Sequence, residues 1–166
     1  MRAYPAAAVL EEMRSLRPGS EVTDRLDDAL ATKLLGVLRF RRHHFTAAER
    51  EPRRAAAAFL ANSAIEQAQA DAIARRMVEL GAAPTFSPSA FLMRSHAPFI
   101  EDGDGLAEMA REGFEATRMS MPALVSLARF VGPRDDVTRQ MLLGIVREDQ
   151  ARAKDLAALA AGLKPA

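Results

Sequence analysis

Four long stretches of the sequence repeat apolar residues at spacings of three and four, which is the period of an amphipathic helix. Proline and glycine separate these stretches, at Pro18-Gly19, Pro52, Gly81 and Gly132-Pro133. We therefore predict four helices over about residues 20–47, 52–81, 104–132 and 135–162, with Ser20 and Asp104 as N-caps of the first and third. Each would be about 40 Å long, and helices of equal length pack side by side.

The connection between the second and third predicted helices spans about residues 82–105. It is too rich in proline and glycine for a continuous helix, and only residues 89–94 suit one or two helical turns. The other two connections are short and make their flanking helices antiparallel neighbours. The predicted fold class is therefore all-α, a four-helix bundle of two antiparallel helix hairpins joined by one long crossover.

The composition excludes several classes of protein. The 166 residues suffice for one or at most two soluble domains, and the lack of cysteine excludes disulfides, a thiolate nucleophile and cysteine-ligated metals. A formal net charge of +1 argues against a nonspecific nucleic-acid binder. No apolar run reaches the roughly eighteen residues of a membrane helix. We expect residues 1–19 to form an extension with a short helix. Glu11 and Glu12 lie within this stretch, and acidic residues there do not suit a secretory signal peptide, so we expect a cytoplasmic protein.

Polar residues interrupt the apolar stripe near the middle of every predicted helix. They are Lys33 in the first helix, Asn62, Glu66 and Gln69 in the second, Thr117 in the third, and Asp149 and Arg152 in the fourth. In a bundle that is in register, these side chains meet at one level of the core. A buried charge costs several kcal/mol of folding free energy unless it is paired. The two positive charges, on Lys33 and Arg152, balance the two negative charges, on Glu66 and Asp149. We predict an internal salt-bridge network completed by hydrogen bonds from Gln69, Asn62 and Thr117. The alternative is that the long stems of Lys33 and Arg152 carry their charges to the surface.

The sequence resembles the bacterioferritins and related ferritin-like proteins over about residues 20–163. The resemblance rests on residues 26–33 and 37–45 in the first helix, residues 59–62 and 66–71 with Leu80-Gly81 in the second, Arg129 to Gly132, and Asp149 to Arg152. It implies a di-iron centre built from single glutamates and Glu-x-x-His pairs. Carried over by position, the six ligands become Lys33, Glu66, Gln69, Thr117, Asp149 and Arg152.

Of these six positions, only Glu66 keeps the residue type that the resemblance implies. We therefore expect no metal and no cofactor at the centre; if any metal binds, Glu66 and Asp149 are its candidate ligands. The methionine that ligates haem in some family members is replaced by Gln67, so haem is not expected. The predicted function is that of a non-catalytic subunit of an oligomeric iron-storage-type assembly, either a homo-oligomer or a hetero-oligomer with an active ferritin-like subunit.

Two other functions remain open from the sequence. One is an active iron-storage protein with ferroxidase activity at a shifted metal site formed by Glu66, Glu115, Glu148 and Asp149. The other is a stand-alone binding or stress-response module, which would need neither iron nor a large assembly. No membrane partner and no nucleic-acid partner is expected.

Three weaker signals stand outside the core pattern. A basic cluster, Arg39, Arg41, Arg42, His43 and His44, lies beside two phenylalanines and is typical of a charged helix face, with His44 predicted as a hydrogen-bonded core histidine. His96, near Glu101, Asp102 and Asp104, is a candidate for a loose surface metal site. Val9, Met13 and Leu16 share one side of the N-terminal stretch, which suits docking on the bundle or on a neighbour.

Overall fold

The computed structural model of the protein describes residues 21–101 and 105–163. Its helices are α1 (Glu21–Ala47), α2 (Arg54–Glu79), the short α3 (Pro88–Arg94), α4 (Leu106–Val131) and α5 (Asp136–Ala161), with a 3-10 turn at Gly132–Asp135. The four long helices and the short helical turn within the crossover are those predicted. The predicted N-terminal helix and the predicted caps Ser20 and Asp104 lie outside the described residues.

Apolar side chains form one large cluster towards each end of the bundle, and the clusters fix the direction of every helix. The first joins the beginnings of α1 and α5 to the ends of α2 and α4, through Leu26, Leu30, Leu142, Ile145, Ile73, Met77, Leu124 and Val131. The second joins the opposite ends of the same helices, through Phe40, Ala47, Leu156, Leu163, Ala55, Phe59, Ala107 and Met109. Because each helix runs between the two clusters, α2 and α4 are parallel to each other and antiparallel to α1 and α5. This arrangement confirms the predicted long crossover.

The crossover is fastened to the first half of α1. Asp27 accepts a hydrogen bond from the backbone N–H of Thr85 at 2.9 Å, and Arg94 Nε donates to Asp28 Oδ1 at 2.8 Å. Phe91, which lies between Thr85 and Arg94 in the sequence, packs in a small apolar cluster with Ala31 and Leu35 of α1. Helix α3 therefore lies directly over the first turns of α1.

His96 lies in this fastened segment and is held by Thr32 of α1. Its backbone N–H donates to Thr32 Oγ1 at 2.9 Å, and its Nδ1 lies 3.1 Å from the same hydroxyl. Burial lowers the pKa of His96, and the nearby charge of Asp28 offsets this only in part. Asp102 and Asp104 lie outside the described residues, and within residues 21–101 and 105–163 no three histidine or carboxylate side chains are grouped to hold a metal ion.

None of the helices in the described part of the chain is both long and apolar enough to cross a membrane. The helices are amphipathic instead, with their apolar stripes turned inward to the two clusters.

The start of α5 is tied to the end of α2 by one carboxylate. Asp135 is the N-cap of α5 and accepts a hydrogen bond from the backbone N–H of Thr138 at 3.0 Å. Arg76 of α2 donates to both carboxylate oxygens of Asp135, at 3.0 and 3.1 Å. Burial alone would raise the pKa of Asp135, but the hydrogen bonds from Thr138 and Arg76, together with the charge of Arg76, hold it below its ordinary value.

We expect Asp135→Asn to lower the free energy of unfolding at pH 7 by about 0.5–1 kcal/mol, because it removes the charge that Arg76 faces and keeps a capping side chain. A carboxylate with a depressed folded pKa stabilises the protein above its unfolded pKa and loses that effect as the pH falls through the folded value. Urea unfolding from pH 7 down to pH 2 should therefore show the difference from wild type shrinking. Asp136→Asn, at an exposed pair with Arg139, is the matched control, and a pH-independent difference for Asp135→Asn contradicts the assignment.

Candidate functional site

A layer of charged and amide side chains separates the two apolar clusters at the centre of the bundle. Helix α1 contributes Lys33, α2 contributes Glu66 and Gln69, and α5 contributes Asp149 and Arg152. Each residue stands on the inward stripe of its helix, where the sequence continues with apolar residues on both sides. The three helices therefore bring five of the six sequence-predicted positions together.

The four charged groups of this layer form a closed ring of alternating sign, which we term the ion-pair ring. Lys33 Nζ lies 2.6 Å from Asp149 Oδ2 and 3.4 Å from Glu66 Oε2. Arg152 Nη2 lies 2.6 Å from Glu66 Oε1 and 2.8 Å from Asp149 Oδ1. Each cation thus contacts both anions, and the ring has no net charge.

The ion-pair ring is buried. Lys33 is 1% exposed, Arg152 is 4% exposed, and the two carboxylates are similarly covered. The alternative in which the stems of Lys33 and Arg152 carry their charges to the surface is therefore wrong. Burial would lower the pKa of Arg152, but the adjacent charges and hydrogen bonds of Glu66 and Asp149 raise it overall, so Arg152 stays charged.

Two amide side chains extend the ring in opposite directions. Gln69 Nε2 donates to Asp149 Oδ1 at 3.1 Å and to Glu148 Oε2, at the exposed rim, at 2.7 Å. Asn62 Oδ1 accepts from Arg152 Nη1 at 3.3 Å, while its own Nδ2 donates to the Ala58 carbonyl. Both amides therefore help to orient the charged groups that they touch.

Thr117 does not take part in the network, and that part of the prediction is wrong. Its hydroxyl is buried and donates to the carbonyl of Gly113 in its own helix at 2.8 Å. The threonine side chain is short, and the carbonyl four residues earlier is always within its reach in a helix. Helix α4 therefore faces the centre without a charged group at this position.

Gly36 makes room for Glu66, a role that was not predicted. A Cβ atom at position 36 would lie 2.7 Å from Glu66 Cδ and 2.9 Å from Glu66 Oε2. Such distances are too short for any real contact, so only glycine lets the Glu66 carboxyl lie against α1. A glycine inside a long helix, where it costs about 1 kcal/mol relative to alanine, is the signal that could have revealed this.

Gln67, the predicted equivalent of the haem ligand, and Glu115, of the predicted shifted metal site, both lie away from the ring. Gln67 is exposed and hydrogen-bonds Asp71 on the outer face of α2. Glu115 pairs with Arg118 at 3.3 Å on the solvent side of α4, and Glu148 is exposed. The set Glu66, Glu115, Glu148 and Asp149 is consequently not assembled in the described residues.

A second buried ion cluster lies on the α1–α4 side and was not predicted. His43 Nε2 is 2.8 Å from Glu112 Oε2, and Arg39 Nε is 3.2 Å from Glu112 Oε1. Arg39 also donates to the carbonyl of Pro98, which ties the end of the crossover to this cluster. Burial alone would raise the pKa of Glu112, but the hydrogen bonds and charges of His43 and Arg39 lower it overall.

This cluster corrects the interpretation of residues 39–44 as one charged helix face. Arg39 and His43 are buried, while His44, predicted as the core histidine, is only half-buried and contacts the carbonyl of Ala56 at 2.9 Å. The buried stripe of α1 runs through Phe40, His43 and Ala47. That spacing of three and four was present in the sequence and singles out His43 rather than His44.

We expect Lys33→Met to lower the free energy of unfolding by roughly 3–5 kcal/mol at pH 7, because it keeps the length of the side chain but leaves two buried carboxylates with one cation. Lys154→Met, at an exposed lysine on α5, is the matched control and should stay within about 0.5 kcal/mol of wild type. Urea denaturation of both variants measures the effect, and equal losses would mean that the ring does not stabilise the fold.

We expect Gly36→Ala to destabilise the protein by roughly 1–3 kcal/mol, since the new methyl group displaces Glu66 from the ring. Gly144→Ala is the control for helix propensity, because no atom lies closer than 4.0 Å to a Cβ at that position. It should gain up to about 1 kcal/mol. Thermal and urea unfolding of the pair give the comparison, and a gain in both variants would contradict the close contact between Gly36 and Glu66.

We compared the sequence and the fold with those of known proteins. The sequence profile of the ferritin-like domain matches residues 23–164. The bacterioferritin-related protein of Bacteroides fragilis, described as a dodecameric thioferritin, superposes with a TM-score of 0.80 at 17% identity and covers 94% of each chain. The Dps protein of Vibrio cholerae O1 gives a TM-score of 0.78 at 19% identity, over 83% of this chain and 87% of that one. Dps from Staphylococcus aureus gives a TM-score of 0.78 at 15% identity, over 84% of this chain and 95% of that one.

At these identities the likeness is one of fold, and no curated protein sequence matches the chain significantly. The chain belongs to the ferritin-like domain family.

Proposed function

We propose that this chain is a non-catalytic ferritin-like subunit with a structural role in an oligomeric iron-storage-type assembly, and that the ion-pair ring takes the place of a di-iron centre. One observation carries the proposal. Lys33 Nζ lies 2.6 Å from Asp149 and the Arg152 guanidinium lies 2.6 Å from Glu66, so both buried carboxylates are already neutralised by protein cations.

The donor set of the layer does not fit a pair of iron ions. Such centres in helical bundles use four carboxylates and two histidines, whereas this layer offers two carboxylates and two amides. Among the described residues, the oxygens of the layer that are buried without a hydrogen bond are Glu66 Oε2 and Gln69 Oε1, and Lys33 Nζ lies 3.4 Å from the first. Two free oxygens, one of which lies 3.4 Å from an ammonium group, are too few for a di-iron site.

Electrostatic repulsion also opposes the binding of iron at this layer. A unit positive charge about 4 Å from a divalent cation opposes it by roughly 8 kcal/mol at an effective dielectric constant near 20. Lys33 and Arg152 would both act on any metal ion that approached Glu66 and Asp149. Iron binding would require at least one of these buried cations to leave its partners.

Self-association is the second part of the proposal. Several large apolar side chains on the outer surface of the α1–α2 hairpin are exposed, among them Leu38, Phe45 and Leu60. The Bacteroides fragilis relative is described as dodecameric. We propose that this chain likewise forms a cytoplasmic oligomer, alone or with an active ferritin-like subunit, and that residues 20–163 form the assembling domain.

The direct test is aerobic loading of the untagged protein with ferrous iron. Iron per subunit and the rate of oxidation are then measured on the peak from a calibrated sizing column. The proposal expects large particles that retain no iron and oxidise it no faster than buffer. Rapid oxidation with retained iron would establish an active ferroxidase, and a monomer without iron would leave only a stand-alone module.

A gain-of-function variant tests the positions themselves. We expect Lys33→Glu, Gln69→His, Thr117→Glu and Arg152→His, combined in one chain, to bind iron measurably, because they restore carboxylates and imidazoles and remove both cations. Gln150→His with Lys154→Glu adds the same ligand types at exposed positions of α5 and is the control. Equal metal content in the two folded variants would overturn the positional assignment.

A further inference from the structure

A small cleft lies between α1, the crossover and α4, away from the ion-pair ring. It has a volume of about 190 Å³. Its polar lining consists of Arg25 of α1, His96 of the crossover and Ser126 of α4. Its apolar lining includes the buried side chains of Ala29, Leu124 and Leu127. Three separate elements therefore bring a cation, an imidazole and a hydroxyl to one cavity, which is the usual composition of a small-molecule site.

The hydrogen bonds of Thr32 fix the position of the ring proton of His96. Thr32 Oγ1 donates its single proton to the carbonyl of Asp28 at 2.9 Å. The same oxygen accepts from the backbone N–H of His96 at 2.9 Å and lies 3.1 Å from His96 Nδ1. A hydroxyl has one proton and two lone pairs, so Nδ1 must be the donor in this last contact. Neutral His96 therefore carries its proton on Nδ1, and its Nε2 has a lone pair.

This Nε2 lone pair is available to a ligand in the cleft. The hydrogen bonds of His96 within the described residues use its backbone N–H and Nδ1, and Nε2 takes no part in them. His96 lines the cleft and Thr32 does not, so the ring turns its Nδ1 edge to α1 and borders the cleft with the remainder. Burial lowers the pKa of His96, and the charge of Asp28 offsets this only in part, so the imidazole is neutral at pH 7. The cleft thus contains a neutral hydrogen-bond acceptor that needs a donor.

Arg25 supplies the positive charge of the cleft. Its guanidinium carbon lies 4.4 Å from the centre of the Phe130 ring, which holds the group in place by a cation–π contact. Arg25 also pairs with Glu21, one turn earlier in α1, but the two side chains are 39% and 59% exposed. Exposed pairs of this kind contribute little, so a ligand carboxylate can replace Glu21 at Arg25.

The spacing of these groups defines the length of the ligand. Arg25 and Thr32, which holds His96, are seven residues apart in α1, or about 10 Å along the helix axis. A chain of four carbons with an oxygen at each end spans about 6 Å. Two hydrogen bonds of about 2.9 Å extend this to about 12 Å. At the roughly 30 Å³ that a water molecule occupies, the cleft holds six or seven non-hydrogen atoms.

We propose that this cleft binds a short, linear hydroxycarboxylate, whose carboxylate pairs with Arg25 and whose terminal hydroxyl donates a hydrogen bond to His96 Nε2. The lining contains one cation and no carboxylate, so the ligand has a single negative charge. The inference goes beyond the proposed function and does not depend on it, because it involves neither the ion-pair ring nor the assembly.

Three ligands of the same chain length test the proposal on the full-length protein. They are 4-hydroxybutyrate, butyrate and 4-aminobutyrate, titrated at pH 7 and followed by NMR. For seven non-hydrogen atoms we expect 4-hydroxybutyrate to bind with a Kd of about 1 mM. Butyrate should bind at least about tenfold more weakly, because it leaves Nε2 without a donor. 4-Aminobutyrate should also bind more weakly, because its ammonium group loses water beside a neutral imidazole and no carboxylate lines the cleft.

Each of the other results would overturn the proposal. Equal affinities for 4-hydroxybutyrate and butyrate would mean that Nε2 accepts no hydrogen bond from the ligand. Tighter binding of 4-aminobutyrate would mean that the cleft selects a cation at its His96 end. The absence of any binding up to about 20 mM, well above the expected Kd, would mean that the cleft is not a ligand site.

NMR of the histidine ring nitrogens tests the tautomer independently. The chain has three histidines, His43, His44 and His96, so the signals can be assigned with a His96→Asn variant. We expect the Nε2 signal of His96 to be that of an unprotonated nitrogen at pH 7 and to shift when 4-hydroxybutyrate is added. A proton on Nε2 in the free protein would remove the acceptor and contradict the proposal.

Substitution of Arg25 tests the carboxylate end of the cleft. Arg25→Gln should weaken the binding of 4-hydroxybutyrate and of butyrate alike by at least about tenfold, because both lose the same ion pair. Arg139→Gln is the matched control, since Arg139 is 35% exposed and pairs with Asp136 elsewhere on the surface. Equal affinities of the two variants for 4-hydroxybutyrate would show that Arg25 does not hold the carboxylate.

Discussion

The contact between Lys33 and Asp149 is the interaction on which the rest of the bundle depends. Both groups are removed from water almost entirely, and each would cost several kcal/mol if it were left alone. Because Lys33 comes from α1 and Asp149 from α5, the pair fixes the vertical register of two helices that are distant in sequence. Arg152 and Glu66 extend the same constraint to α2, and the apolar clusters above and below then pack in the only register that keeps all four charges paired.

Ion pairs in a protein core are often no more stabilising than well-packed apolar residues of similar volume. The ion-pair ring is therefore better understood as a determinant of specificity. A slide of α5 by one turn, about 5.4 Å, would leave apolar packing partly intact but would separate every charged contact. Gly36 serves the same end, since it lets Glu66 approach α1 closely enough for Lys33 to reach it. The crossover contributes independently, through Asp27 and Arg94, and fixes the position of α3 over α1.

Much of the architecture follows from local sequence, and the exceptions share a cause. Helix bounds, helix directions and the polar layer were predictable because the apolar period and the proline and glycine positions are properties of single segments. The position of Thr117 predicts a place in the network, but its own helix offers a nearer acceptor, the carbonyl of Gly113. The pairing of Arg39 and His43 with Glu112, a residue about seventy positions away, is not revealed by any pattern within α1. The role of Gly36 likewise becomes clear only when Glu66 is known to lie against it.

The closed form of the ion-pair ring also bears on how such a sequence can change over generations. Any single exchange of Lys33, Glu66, Asp149 or Arg152 for a neutral or oppositely charged residue leaves a buried charge without its partner, at roughly 3–5 kcal/mol. Natural domains have total stabilities of only about 5–15 kcal/mol, so most one-step routes out of the ring pass through a poorly folded intermediate. A bundle centre of this kind is consequently hard to replace, because another polar arrangement at the same level requires several simultaneous substitutions.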